Sequence, residues 1–243
     1  MKEEEYKQDL SLEKSYNSIY DNEVIDLKDI QVNWPRNREE ALIKWVGSGK
    51  RLLEIGFGPG HVLYNLRNRF EELYGVELSS CRAEKAKDAF QDAGVANVQV
   101  TTGNIEDGLD FPDGYFDCIV WADVIEHVMN LWAAMKEIRR LLRKGGCLLT
   151  TTPNIAELRR RLKLLFGTFP STSGGNEGID VRKGELFDGG HVHYFTFSML
   201  GKLYRKYEFE PLHRYGFGRL GHLHNLWPSL LSSAVCVKGV KRR

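Results

Sequence analysis

Three glycines at alternate positions, Gly56, Gly58 and Gly60, follow directly on the apolar run Leu52-Leu53-Glu54-Ile55. The run reads as a buried strand, and His61-Val62-Leu63-Tyr64-Asn65-Leu66 beyond the glycines has helical periodicity. A chain that turns from strand to helix through glycines can bring bare backbone N–H groups up to a ligand. Glu54, just ahead of the turn, adds a negative charge where a phosphate binder would rather have none. The combination suits a ligand with an amine and a cationic centre better than a pyrophosphate.

Strands and helices must alternate for this turn to work, and the sequence shows that alternation. Pro35 marks the start of a helix through Trp45, closed by Gly47-Ser48-Gly49. The first strand covers about 50–55 and the second Leu73–Glu77. Ser79 caps a helix running to about Ala93. Strand three is Asn97–Val100 and strand four Tyr115–Trp121. A helix over Leu131–Arg143 leads through Gly145-Gly146 to strand five, Cys147–Thr151. A helix near Ser198–Tyr207, a strand at 209–215 and a last strand near Ala234–Lys238 complete the sheet. Such a β-α order implies a parallel sheet with helices on both faces, and ligands bind beyond the carboxyl ends of its strands.

Those strand ends carry acids and amides. Glu77 closes strand two, where a carboxylate can accept hydrogen bonds from both hydroxyls of a ribose. Gly103-Asn104-Ile105-Glu106 follows strand three and can read the amino group and ring nitrogen of an adenine. Strand four ends near Asp123. A nicotinamide-dependent oxidoreductase would use similar parts, but its fingerprint is G-x-G-x-x-G, and here the last glycine comes one residue early. A non-catalytic nucleoside-binding module also stays open.

The chain resembles the class I S-adenosylmethionine-dependent methyltransferases. Glu54-Ile55-Gly56-Phe57-Gly58-Pro59-Gly60 matches their E/D-x-G-x-G-x-G motif in full, and Glu77 matches their ribose-binding acid. Asn104 departs from the Asp the family often has there. Phe111-Pro112-Asp113-Gly114-Tyr115-Phe116-Asp117, followed by Val124-Ile125-Glu126-His127-Val128, is similar to the small-molecule branch that includes ubiquinone-type O-methyltransferases. The likeness runs over roughly residues 50–152. His191-Val192-His193-Tyr194-Phe195-Thr196 is more weakly similar to a H-x-x-F-F-T element of that branch.

The resemblance implies an α/β, Rossmann-like fold: a seven-stranded, mostly parallel sheet with helices on both faces and the last strand antiparallel. It implies one domain over 1–243, with an N-terminal extension at 1–35 and a lid or substrate insertion at 154–195. S-adenosylmethionine is the implied cofactor, surrounded by Glu54, Gly56, Gly58, Gly60, Glu77, Leu78, Asn104, Ile105, Glu106 and Asp123. Methyl transfer to a hydroxyl gains from a base, and His127, His191 and His193 are the candidates, because imidazole titrates near neutrality. His191 and His193 flank Val192, so in an extended segment both point the same way. With Glu126 or Asp123 the histidines could instead bind a divalent metal, but they form no recognised ligand spacing, and no metal ligand is assigned.

The acceptor is expected to be a small molecule, a sugar or a lipid-linked compound. Trp121-Ala122-Asp123-Val124 stands where N-methyltransferases of bases often have N/D-P-P-Y, which argues against nucleic acid. The formal net charge of +1 over 243 residues argues the same way. Charge is uneven: residues 1–30 hold nine acids and four bases, while 155–243 hold fifteen bases and seven acids. Within the basic part, Leu158, Leu162, Leu165 and Phe166 share one helical face, with Arg159, Arg160, Arg161 and Lys163 around the remainder. This is read as a lid helix packing on the sheet, with contact to an anionic membrane surface as the alternative. Four scattered cysteines without C-x-x-C spacing, an acidic N-terminus and the lack of a bilayer-length apolar run point to the cytoplasm.

Overall fold

The computed structural model describes Asn17, residues 20–173, 187–218 and 221–242. The first helix, α1 (Arg38–Trp45), begins later than Pro35 suggests. Asn37 is its N-cap: the Asn37 side chain accepts from the Glu40 N–H at 2.9 Å, and a Glu40 carboxylate oxygen accepts from the Arg36 N–H at 2.8 Å. This reciprocal capping outcompetes the proline as a start signal.

Then come β1 (Gly49–Ile55), α2 (His61–Leu66), β2 (Phe70–Glu77), α3 (Ser80–Asp92), β3 (Val98–Thr102) and β4 (Phe116–Ala122). They are followed by α4 (Leu131–Leu141), β5 (Leu142–Pro153), α5 (Leu158–Leu165), α6 (Phe197–Lys206), β6 (Phe209–Tyr215), α7 (Pro228–Leu231) and β7 (Ala234–Lys241). All seven strands join one sheet in the order β3-β2-β1-β4-β5-β7-β6. β1 to β5 pair in parallel, and β7 runs antiparallel to both β5 and β6. The expected Rossmann-like sheet with an antiparallel last strand is what the chain forms.

Side chains on a strand point to alternate faces, and this chain uses both. Leu53, Ile55, Ile119 and Trp121 pack with Met135, Ile138, Leu200 and Tyr204 under α4 and α6. Leu52, Val120 and Leu149 pack with Leu42, Leu63, Leu66 and Phe90 under α1 to α3. Full burial of each such aliphatic side chain contributes about 1.5–3 kcal/mol. The helices show why they bind where they do. α4 buries Leu131, Ala134, Met135, Ile138 and Leu141 on one stripe, and Asn130 caps it by accepting from the Ala133 N–H. Ser79 caps α3 in the same way.

The lid-helix reading of α5 needs correction. No residue of this helix is buried, and Leu158, Leu162, Leu164 and Leu165 are exposed together with Phe166. Its apolar stripe therefore does not pack on the sheet among the described residues. The reason is its route: Asn154 anchors to the Ser229 and Ser232 carbonyls, and Arg160 to the carbonyls of Asn154 and Ser233. The helix is held by its polar side instead. The Gly174-Gly175-Asn176 part of the insertion lies outside the described residues, as does most of the extension before Tyr20.

One glycine not singled out by the motif shapes the core. A Cβ on Gly75 would stand 2.6 Å from Phe57 Cδ1 and 2.8 Å from Leu63 Cδ1. Gly75→Ala is expected to lower the urea unfolding midpoint, with a loss of about 1–3 kcal/mol from overpacking. An unchanged midpoint would show that Phe57 and Leu63 yield freely.

Candidate functional site

A cavity of about 490 Å³ opens over the carboxyl ends of β1, β2, β3 and β4. Gly56, Gly58, Glu77, Leu78, Asn104, Ile105, Glu106, Asp123 and His127 all line it. Glu54, Gly60, His191 and His193 do not line it, and stand behind or beside its wall. The sequence reading did not foresee Tyr20, Arg38, Arg82 or Met129, which also face the cavity.

The glycine turn is shaped by neighbours far along the chain. Gly56, Gly58 and Gly60 have φ of 68°, 59° and 83°, a region that side chains disfavour. A Cβ on Gly56 would fall 2.2 Å from Val124 Cγ2, and one on Gly60 would fall 2.7 Å from Phe90. The nearest atoms to a Cβ on Gly58 belong to the Arg82 guanidinium, at 3.5 Å, and Gly58 itself lines the cavity.

Glu77 ties the strand ends together. Its Oε2 accepts from the Gly58 N–H at 3.0 Å, and its Oε1 accepts from the N–H groups of Leu78 at 2.9 Å and Ser79 at 3.4 Å. A carboxylate oxygen offers about two lone-pair sites, so acceptor capacity is left for hydroxyls of a ligand. Asn104 Oδ1 accepts from the Glu106 N–H at 3.0 Å, which closes the turn after β3. The Glu106 carboxylate in turn accepts from the N–H groups of Met129 and Asn130 and holds the loop that carries His127.

Glu54 is 3% exposed, and its Oε2 has no hydrogen-bond partner. Burial pushes its carboxyl up to about 8; Arg38 opposes the rise, while Glu39 and Glu77 add to it. Arg38 also pairs with Asp123 at 3.3 Å. Asp123 holds a left-handed conformation, φ 51°, fixed by its N–H to the Thr151 carbonyl at 2.9 Å and by the Thr151 hydroxyl at 2.8 Å. Glu77, Glu106 and Asp123 in the cavity wall, with Glu54 buried behind it, outnumber Arg38 and Arg82 there and favour a cation over a phosphate.

The histidines gather at one end. The rings of His127 and His191 are 4.7 Å apart, edge to face. Burial pushes His127 down to about 4, with His191 adding to the effect and the Gly190 carbonyl opposing it. His191 Nδ1 lies 2.6 Å from the Thr172 hydroxyl, which donates to Asp188 at 2.8 Å. His193 is anchored differently: its N–H donates to the Glu126 carbonyl at 3.1 Å, and its buried Nε2 has no hydrogen-bond partner. Sequence spacing gave no sign of Thr172 or Asp188.

Known proteins match the same region. Residues 53–150 fit the family model described as a methyltransferase domain. An uncharacterized methyltransferase, YcgJ of Bacillus subtilis, is 33% identical over 96 residues, which is 40% of this chain and 38% of that protein. The ubiquinone/menaquinone biosynthesis C-methyltransferase UbiE of Vibrio cholerae is 31% identical over 109 residues, 42% of this chain and 40% of that protein. The matched stretch thus spans about two fifths of the length of these relatives. The crystal structure of an S-adenosylmethionine-dependent methyltransferase from Aquifex aeolicus shares the fold, with a TM-score of 0.58 and 14% identity over 97% of this chain and 100% of that one.

Residues 53–150 thus match a methyltransferase domain, and the fold is the one that solved S-adenosylmethionine-dependent methyltransferases share. The residues present suit S-adenosylmethionine, the cofactor that the resemblance implies. The cradle at Gly58 has no side chain to block it, Glu77 keeps acceptor capacity, and the cavity volume is that of a small-molecule site.

The raised Glu54 carboxyl has a sign that can be checked. Its folded value lies above the ordinary 4.5, so the stability it contributes is fully present below about 4.5 and is lost as pH rises through about 8. Glu54→Gln cannot ionise and is expected to show a shallower fall in Tm between about pH 6 and about pH 8.5 than the parent protein. Equal slopes in thermal melts would rule this out.

Proposed function

We propose that this chain is an S-adenosylmethionine-dependent methyltransferase whose acceptor atom is an oxygen of a small-molecule, sugar or lipid-linked substrate. The observation that carries the oxygen reading is the His127–His191 pair at the rim of the cofactor cavity. A hydroxyl acceptor must lose a proton, whereas an amine can use its existing lone pair.

The cofactor, when bound, supplies a sulfonium leaving group and the methyl to be transferred. The chain contributes alignment. The N–H groups of the Gly56–Gly60 turn and Asp123, with Glu54 buried behind them, would receive the amino-acid end of the ligand. Glu77 accepts from the ribose hydroxyls, and Asn104, Ile105 and Glu106 flank the base. His127 stands in the same cavity wall, where it would border the acceptor. Orientation of this kind supplies about 7–11 kcal/mol in well-aligned reactions. His127, His191 and His193 lower the cost of removing the acceptor's proton.

A carbon acceptor is the second reading, favoured by the likeness to the Vibrio cholerae C-methyltransferase. α5 bears on how an acceptor arrives. Exposed Leu158, Leu162, Leu165 and Phe166 stand among exposed Arg159, Arg161 and Lys163. Such a surface supports delivery of a lipid-linked acceptor from an anionic membrane face. No described helix is long and apolar enough to cross a membrane. The unpaired cysteines support a reducing, cytoplasmic setting.

Incubation with methyl-labelled S-adenosylmethionine and hydroxylated acceptor pools tests the reading. Label released as methyl iodide by hydriodic acid reports an O-methyl product, and retained label reports carbon. Gly58→Val is expected to abolish cofactor binding in calorimetry, since a β-branched residue at φ 59° is strained. Glu77→Ala is expected to weaken binding by about 1–3 kcal/mol. Unchanged affinity in both variants would place the cofactor elsewhere.

A further inference from the structure

We propose that Glu126, His127 and His191 form a binding site for a divalent first-row transition metal at the acceptor end of the cavity. The chelating atoms of these three side chains all lie within 4.8 Å of one another. A tetrahedral set with bonds of about 2.1 Å has its donors about 3.4 Å apart. The site therefore closes by roughly 1.4 Å at most, which is within reach of side-chain rotation.

A second observation points the same way. Glu126 is 1% exposed, and its Oε2 has no hydrogen-bond partner. A carboxylate buried without a partner is costly, and a cation among its neighbours removes that cost. The rest of Glu126 is fixed in place: its carbonyl accepts from the N–H groups of Val192 at 2.8 Å and His193 at 3.1 Å. The loop after β4 and the segment bearing His191 are thus pinned to each other at the residue that supplies the carboxylate.

The outer contacts of both histidines are those of metal ligands. A ligating imidazole usually donates its other N–H to a carbonyl, a carboxylate or a hydrogen-bonded group. His127 Nδ1 lies 3.3 Å from the Gly190 carbonyl, so Nδ1 carries the proton and Nε2 the lone pair. His191 Nδ1 donates to the Thr172 hydroxyl at 2.6 Å, which passes its own proton toward buried Asp188 at 2.8 Å. Asp188 is locked by the Ser171 hydroxyl at 2.6 Å and the Tyr194 hydroxyl at 3.1 Å. This His–Thr–Asp chain orients the ring.

Two imidazoles and one carboxylate suit Zn²⁺, Mn²⁺ or Fe²⁺ better than Mg²⁺. Three protein ligands leave coordination positions open, and His127 borders the cavity, so they face the acceptor. This part rests on the methyltransferase reading. An acceptor hydroxyl bound to the ion has a lowered pKa and gives its proton to solvent. The oxygen then forms its bond to the methyl carbon as the carbon–sulfur bond breaks, and the electron pair stays on sulfur as a neutral thioether.

Metal binding is measured apart from activity. Chelator-treated full-length protein is titrated with Co²⁺, followed by its visible ligand-field bands, and with Zn²⁺ by calorimetry. One site per chain is expected, with affinity reduced at least about ten-fold in Glu126→Gln and in His191→Ala. Thr172→Val leaves all three ligands in place and is expected to weaken binding by about ten-fold or more through the lost outer contact. Circular dichroism and S-adenosylmethionine calorimetry on each variant confirm that the fold persists. Absence of ligand-field bands in the parent protein would overturn the site, as would equal metal affinity in the parent and both ligand variants. Metal binding without S-adenosylmethionine binding would leave the site standing and defeat the methyltransferase reading.

Discussion

One buried carboxylate holds the cofactor end of the molecule together. Glu77 accepts three backbone N–H groups, from Gly58, Leu78 and Ser79, and its own carbonyl accepts from Gly103. The turns after β1, β2 and β3 are thereby joined at a single residue. Hydrogen bonds to an ionised acceptor are shorter and stronger than neutral ones. They also compensate the carboxylate for its burial, which is 8% exposure. Remove that charge, and the glycine turn loses the acceptor that aims its N–H groups.

The acids around the floor are balanced unevenly, and that imbalance has a use. Arg38 from the start of α1 pairs with Asp123 and faces Glu54, yet it is one cation among several acids. Burial above all, with Glu39 and Glu77 adding to it, pushes the Glu54 carboxyl up to about 8 against the pull of Arg38. A sulfonium ligand with an amino group supplies positive charge. Binding such a ligand relieves a strain that the protein alone carries, and an anionic ligand would worsen it. The same argument applies at the far end, where Glu126 is buried beside two histidines.

The site depends on two unlike supports. Its cofactor end rests on regular strands, whose register sets the positions of Glu54 and Glu77 within the parallel pairing of β1 and β2. Its acceptor end rests on irregular chain. Asp123 and Asp188 both hold positive φ; the Thr151 hydroxyl and the Arg38 guanidinium donate to Asp123, and the Ser171 hydroxyl and the Thr172 N–H donate to Asp188. The regular half fits a cofactor of constant shape. Loops of this kind can vary without disturbing the sheet.

Local patterning already determined a large part of this protein. Alternating apolar strands, the glycine spacing and the terminal Glu77 depend on neighbours only a few residues apart, so they are readable in order along the chain. Pro35 misled because the Asn37–Glu40 capping contacts set the helix start, and α5 misled because an apolar stripe does not say whether anything covers it. Arg38, Tyr20, Arg82, Thr172 and Asp188 carry no motif. They reach the site only because the sheet brings distant segments to one edge, as Arg38 does with Asp123 across 85 positions. Tertiary structure alone decided which acids share a cavity floor and which histidines meet, because burial and electrostatic coupling depend on distance in space and not on separation along the chain.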